Sequence, residues 1–150
     1  MNKLSNLVLT CGMLLPLTAV SAWADAPRRY IGSDPANKRP LSGAVLVRDT
    51  LYVSGSLGLD KAGQVPAEAK VEIKQVMDNM KQTVESAGFK MDELVSVQIF
   101  CTDLALFDTF NDIYRTYFHG QFPARAFIGT DKLLRGAHFE VMGIAVKDPH

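Results

Sequence analysis

Between Pro66 and Ala87, apolar residues recur at steps of three and four. Ala69, Ile73, Val76, Met77, Met80, Val84 and Ala87 therefore fall on one side of a helix. Glu68, Lys70, Glu72, Lys74, Asp78 and Lys81 lie largely outside that stripe and are expected to face water. Gly88 stands where a helix ends on a left-handed residue. Methionines at this spacing read as core filler. The period then changes: Val95, Val97 and Ile99 alternate with Ser96 and Gln98, which predicts a half-buried strand. Helical spacing returns with Phe107, Phe110, Tyr114, Tyr117 and Phe118, after Thr102 and Asp103 as candidate caps and before His119-Gly120 as the end. An aromatic stripe of this kind packs a helix on a sheet.

The flanking segments complete the layout. Residues 25–38 carry Pro27 and Pro35 among scattered charges and read as an extended arm; the folded domain is expected from 39 to 150. Ala44-Val45-Leu46-Val47 and Leu51-Tyr52-Val53-Ser54, joined by a turn at Asp49-Thr50, predict a β-hairpin. Gly55, Gly58 and Gly63 mark the loop that follows. Pro123 fixes its own φ and pushes Phe122 toward extended geometry, so Ala124 to Thr130 reads as a strand. Ala137 to Val146 gives the last strand. The order is β-β-loop-α-β-α-β-β. Two amphipathic helices need one sheet to cover, which predicts a two-layer α/β sandwich. The other face or an edge of that sheet is then a natural contact between copies of the chain.

The N-terminus changes the length available to the fold. Lys3, an apolar run from Leu7 to Val20 broken by Gly12 and Pro16, and Ala22-Trp23-Ala24 predict a signal peptide over residues 1–24, cleaved before Asp25. The run is short for a membrane span, which wants about 20 apolar residues. Cys11 lies inside the apolar region, not at the end where a lipoprotein cysteine stands. A periplasmic protein without stable membrane association is the expectation. Removing the leader leaves Cys101 as the single cysteine, so no internal disulfide is expected. The whole chain has 150 residues, 47% of them hydrophobic, with 16 basic and 16 acidic side chains. That balance gives no footprint of a nucleic-acid binder.

Candidate chemistry is sparse. His119, His138 and His150 show no metal-ligand spacing, and no glycine-rich nucleotide loop or nucleophile elbow is present, so neither a metal nor a cofactor is expected. Ser54 and Cys101 have no evident general-base partner in sequence. Two ionisable residues remain. Arg125 stands between Ala124 and Ala126, whose small side chains leave room for a guanidinium to grip a carboxylate. An exposed arginine at a strand end fits the same residues. Glu140 interrupts a last strand that is apolar on both alternating sets, Phe139-Val141-Gly143-Ala145 and Met142-Ile144-Val146. Such a carboxylate is either a structural partner of Arg125, an edge residue, or a group that handles water and protons in a semi-buried site.

Leu51-Tyr52-Val53-Ser54-Gly55, Glu85-Ser86-Ala87-Gly88, Phe107-Asp108-Thr109-Phe110-Asn111-Asp112-Ile113-Tyr114, Pro123-Ala124-Arg125 and Phe139-Glu140 together resemble the RidA (YjgF) family in order and spacing, from about Arg39 to Val146. The resemblance implies a chorismate-mutase-like fold assembled as a homotrimer with sites between subunits. It implies cofactor-free hydrolysis of enamines and imines of 2-oxo acids, releasing ammonia and the 2-oxo acid. By the same resemblance, Arg125 and Glu140 are the catalytic residues: Arg125 clamps the substrate carboxylate and Glu140 positions or activates water. Gly55, Ser54, Asn111 and Phe127 join Arg125 as substrate-binding positions. Leu41, Ser56, Ala126 and Leu134 depart from the family's usual residues and alter the pocket walls. A binding module for small carboxylates on the same fold is the alternative. Some members are described as ribonucleases, a role to which the neutral charge and expected export run counter.

Overall fold

The computed structural model describes residues 27–33, 36 and 40–147; the expected signal peptide and its cleavage site lie outside the described residues. Eight elements follow in order: β1 (Arg29–Ile31), β2 (Ala44–Val47), β3 (Thr50–Leu57), α1 (Ala69–Ser86), β4 (Leu94–Cys101), α2 (Phe107–Tyr114), β5 (Ala124–Gly129) and β6 (Phe139–Val146). The six strands form one sheet in the order β1-β2-β3-β6-β4-β5, antiparallel except for the parallel pair β4 and β5. β6 is thus central, between β3 and β4.

Both helices cover the same face. Ile73, Val76, Met77, Met80 and Val84 of α1 and Phe110 and Tyr114 of α2 are buried against Leu51, Val53, Val97, Ile99, Phe139, Val141 and Ala145. The alternation in β4 and the helical stripe in α1 therefore meet as expected. α1 ends as its sequence predicts: Gly88 takes φ +85, Gly88 N–H donates to the Glu85 carbonyl and Phe89 N–H to the Val84 carbonyl. The opposite face has no covering layer among the described residues. Tyr52, Met142 and Ile128 stand on it 49%, 37% and 38% exposed. Among the described residues β6 is therefore covered on one face only, although its sequence is apolar on both.

Several local expectations shift. The arm is not wholly irregular, because β1 pairs with β2 and extends the sheet by one strand. Arg29 fastens it, donating from Nη2 to the Ala87 carbonyl at the end of α1, 2.6 Å away. The hairpin turns at Arg48-Asp49, one residue earlier than expected, with Arg48 at φ 54. α1 begins at Ala69, after Pro66. The aromatic segment is a short α-helix flanked by 3₁₀ turns, with Asp103 accepting from Ala105 N–H at its entry. Glu72 is the largest departure. It is not on a solvated face but fully buried.

Candidate active site

Arg125 points to the helix-covered face of the sheet, where α2 meets the outer strand β5. Its guanidinium lies 4.8 Å from the Tyr114 ring centre and 5.7 Å from that of Phe107. Stacking on aromatic faces suits the weakly hydrated guanidinium and holds its donors in place. No carboxylate among the described residues pairs with it. The side chain forms one wall of an open cleft of about 480 Å³, lined also by Phe107, Asn111, Tyr114, Arg115, Phe122 and Pro123. Two of these residues are cationic and none is acidic, which favours an anionic ligand. The Tyr114 hydroxyl is buried without a hydrogen-bond partner among the described residues. Burial pushes its pKa up to about 12, against the opposing pull of Arg125, so it is a neutral phenol. The aromatic shelf depends on the spacing of α2: Phe107, Asn111 and Tyr114 are three and four residues apart and share one face.

Glu140 lies elsewhere. β6 residues alternate, and with Phe139 and Val141 buried under α1, Glu140 projects to the opposite face with Met142. It stands level with Leu57 on β3 and Phe100 on β4, while Arg125 on β5 stands level with Val97. The two backbones are two strands and three residues apart, roughly 14 Å by ordinary sheet spacings. A structural ion pair between Arg125 and Glu140 does not form, because the side chains leave the sheet on opposite faces.

The strand beside Glu140 is bulged. Val53 is level with Gly143 and Ser56 with Val141, so Ser54 and Gly55 together oppose Met142. The bulge brings Gly55 under the Glu140 side chain: a β-carbon on Gly55 would stand 2.0 Å from Glu140 Oε1. No group among the described residues hydrogen-bonds the Glu140 carboxylate, leaving its lone pairs available. The Ser54 hydroxyl donates to the Ser42 carbonyl at 2.7 Å, which ties the bulge to the segment before β2. Phe127 packs edge-on to Phe107 and Phe110, with ring centres 5.0 and 5.4 Å apart. Its side chain thus supports the aromatic shelf, while its backbone belongs to an edge strand.

The chain therefore presents two half-sites. Arg125 and Asn111 share the cleft, with Phe127 beneath; Glu140, Ser54 and Gly55 share the uncovered face. The register of β3 and the side of the sheet each residue faces are what separate them. Glu72 was missed by sequence reasoning, although it lies four residues before Val76 and so on the margin of the buried stripe.

Gly55→Ala tests the second half-site. Gly55 has no left-handed φ, and the atom in the way is the far end of a flexible side chain. Stability should change by less than about 1 kcal/mol, since Gly→Ala also restricts the unfolded chain. The Glu140 carboxylate must move, and such misplacement should lower kcat by about 10- to 100-fold. Thermal melts beside steady-state rates check both halves.

Known proteins share this architecture and sequence. The family described as Endoribonuclease L-PSP matches residues 31–147. A protein of Bos taurus named 2-iminobutanoate/2-iminopropanoate deaminase is 40% identical over 117 residues, which span 77% of this chain and 85% of the relative. Its Homo sapiens counterpart of the same name is 37% identical over 112 residues, 73% of this chain and 82% of the relative. Among solved structures, the YjgF gene product of E. coli superposes with a TM-score of 0.74 at 31% identity, covering 80% of this chain and 99% of that one. RidA from a Psychrobacter species gives a TM-score of 0.73 at 30% identity, covering 79% and 99%.

Proposed function

The chain belongs to the RidA/YjgF family, the one described as Endoribonuclease L-PSP, and from that premise we propose that it hydrolyses the reactive enamines and imines of 2-oxo acids to the 2-oxo acid and ammonia. The observation that carries the reading is a pair of groups unpartnered among the described residues: a stacked guanidinium without a carboxylate, and a carboxylate without a donor. Arg125 holds the substrate carboxylate through two parallel N–H···O bonds, and Asn111 offers an amide beside it. The imine carbon is already electrophilic. Water adds to it, the carbinolamine collapses, and ammonia leaves with the proton that the nitrogen gains. Glu140 places that water and moves the protons.

In this reading the half-sites act together between subunits of a homotrimer. The cleft of one chain takes the substrate carboxylate, and the uncovered face of the next supplies Glu140. The exposed apolar residues Tyr52, Met142 and Ile128 support burial of that face. Sedimentation should give three chains. Mixing Arg125→Ala and Glu140→Gln subunits is the sharper test. Each variant alone is impaired, and random reassembly in a cyclic trimer restores roughly a quarter of the sites if they lie between chains. A site within one chain recovers nothing. Activity is read by generating 2-iminopropanoate with an amino-acid oxidase and trapping it with semicarbazide, whose product falls as the deaminase competes. If wild type does not lower that yield, the reading fails for this imine.

Export belongs to the same proposal and rests on Lys3, the interrupted apolar run and Ala22-Trp23-Ala24. The intact mass of the periplasmic protein should correspond to a chain starting at Asp25. Retention of Met1 in a cytoplasmic form contradicts it.

A further inference from the structure

α1 buries a carboxylate that the core stripe does not require. Glu72 is fully buried, and isolated charge in such a place is costly. Here it is saturated with donors. Oε1 accepts from His138 N–H at 2.7 Å and Phe139 N–H at 3.1 Å, while Oε2 lies 2.7 Å from His138 Nδ1. His138 immediately precedes β6 and Phe139 opens it, two residues and one residue before Glu140.

Seven residues along the same helix, Asn79 grips the neighbouring strand. Its Nδ2 donates to the Leu57 carbonyl at 2.8 Å and the Leu59 carbonyl at 3.2 Å. Gln75 Nε2 donates to Asn79 Oδ1 at 2.8 Å, which fixes the orientation of the amide. Between the two gripped carbonyls, Gly58 packs directly on the helix: a β-carbon there would stand 2.5 Å from Glu72 Cγ and 2.6 Å from the Glu72 carbonyl oxygen. The end of β3 and the start of β6 are thus fastened to one helix. The two grips lie close together across the strand pair, because Leu57 is level with Glu140, the residue after Phe139. Apolar packing tolerates small slides, whereas hydrogen bonds to named backbone groups are directional.

We propose that Glu72 and Asn79 are positioning residues for Glu140: by clamping β3 and β6 to α1 they set the height of the Glu140 carboxylate over Gly55. The inference rests on the deaminase reading for its consequence, and on geometry alone for the clamp. Neither residue touches the Arg125 cleft, so the clamp governs one half-site and leaves the other unaltered.

The test compares Glu72→Gln and Asn79→Ala with Ile73→Val, a core change on the same helix that removes one methylene and takes part in none of the clamp hydrogen bonds. Glu72→Gln keeps the volume but offers one acceptor oxygen in place of two. Each clamp variant should lower kcat about 10- to 100-fold, as loss of orienting groups around a site does, with KM held within about twofold. Ile73→Val should lower thermal stability and leave kcat unchanged. Amide hydrogen exchange adds a readout independent of substrate: the clamp variants should speed exchange in residues 55–59 and 138–141 and spare residues 122–129. Clamp variants that behave like Ile73→Val in kcat, or that leave exchange at 55–59 and 138–141 unaltered, overturn the proposal. If wild type shows no turnover, the deaminase reading fails and the exchange arm alone decides the clamp.

Discussion

Arg125→Ala should lower kcat/KM by about 100- to 1,000-fold while the folded protein stays intact. A guanidinium–carboxylate fork contains two charge-assisted hydrogen bonds, each worth about 1.5–3 kcal/mol. The cleft is open and water competes, so the lower part of that range applies, roughly 3–4 kcal/mol in all. The folding cost is small because no ion pair among the described residues is lost; the stacking on Tyr114 and Phe107 goes, about 0.5–1 kcal/mol at a site of this exposure. Arg125→Lys should recover little. A lysine places a point charge near the same spot, yet it lacks the planar fork and the flat face that Tyr114 supports. Steady-state rates over a range of imine concentrations, with calorimetry on the 2-oxo acid product, separate binding from turnover. A lysine variant with wild-type kcat/KM contradicts the fork.

Glu140→Gln should lower kcat by about 100- to 10,000-fold, the usual contribution of positioned acid–base help, and change KM little. The substitution keeps the shape that fits over Gly55 and removes the group that exchanges protons. It breaks no hydrogen bond among the described residues, where the carboxylate has no partner, so thermal stability should be unaltered. The contrast with Arg125→Ala is the informative part: one variant binds and does not turn over, the other does neither. Equal loss in both parameters for Glu140→Gln sinks this division of labour. Wild-type kcat in that variant removes Glu140 from the chemistry altogether, whereas absence of turnover in the wild type leaves a carboxylate-binding module.

What the chain determines by itself is what repeats over short range. The stripe from Ala69 to Ala87, the alternation from Val95 to Ile99 and the Gly88 cap are set by the geometry of single elements, so they are legible residue by residue and the structure keeps them. The order of motifs carries the family as well. Tertiary structure decided the rest, because it depends on which elements meet. Glu72 reads as a surface residue until the start of β6 arrives beside it with two backbone N–H groups and the His138 ring. β1 is an unremarkable arm until β2 offers it an edge. Arg125 and Glu140 look like one site in sequence. The pleat sends them to opposite faces, since the side a residue faces follows from strand register and from where the helices pack, and neither is encoded in the neighbours of a single residue.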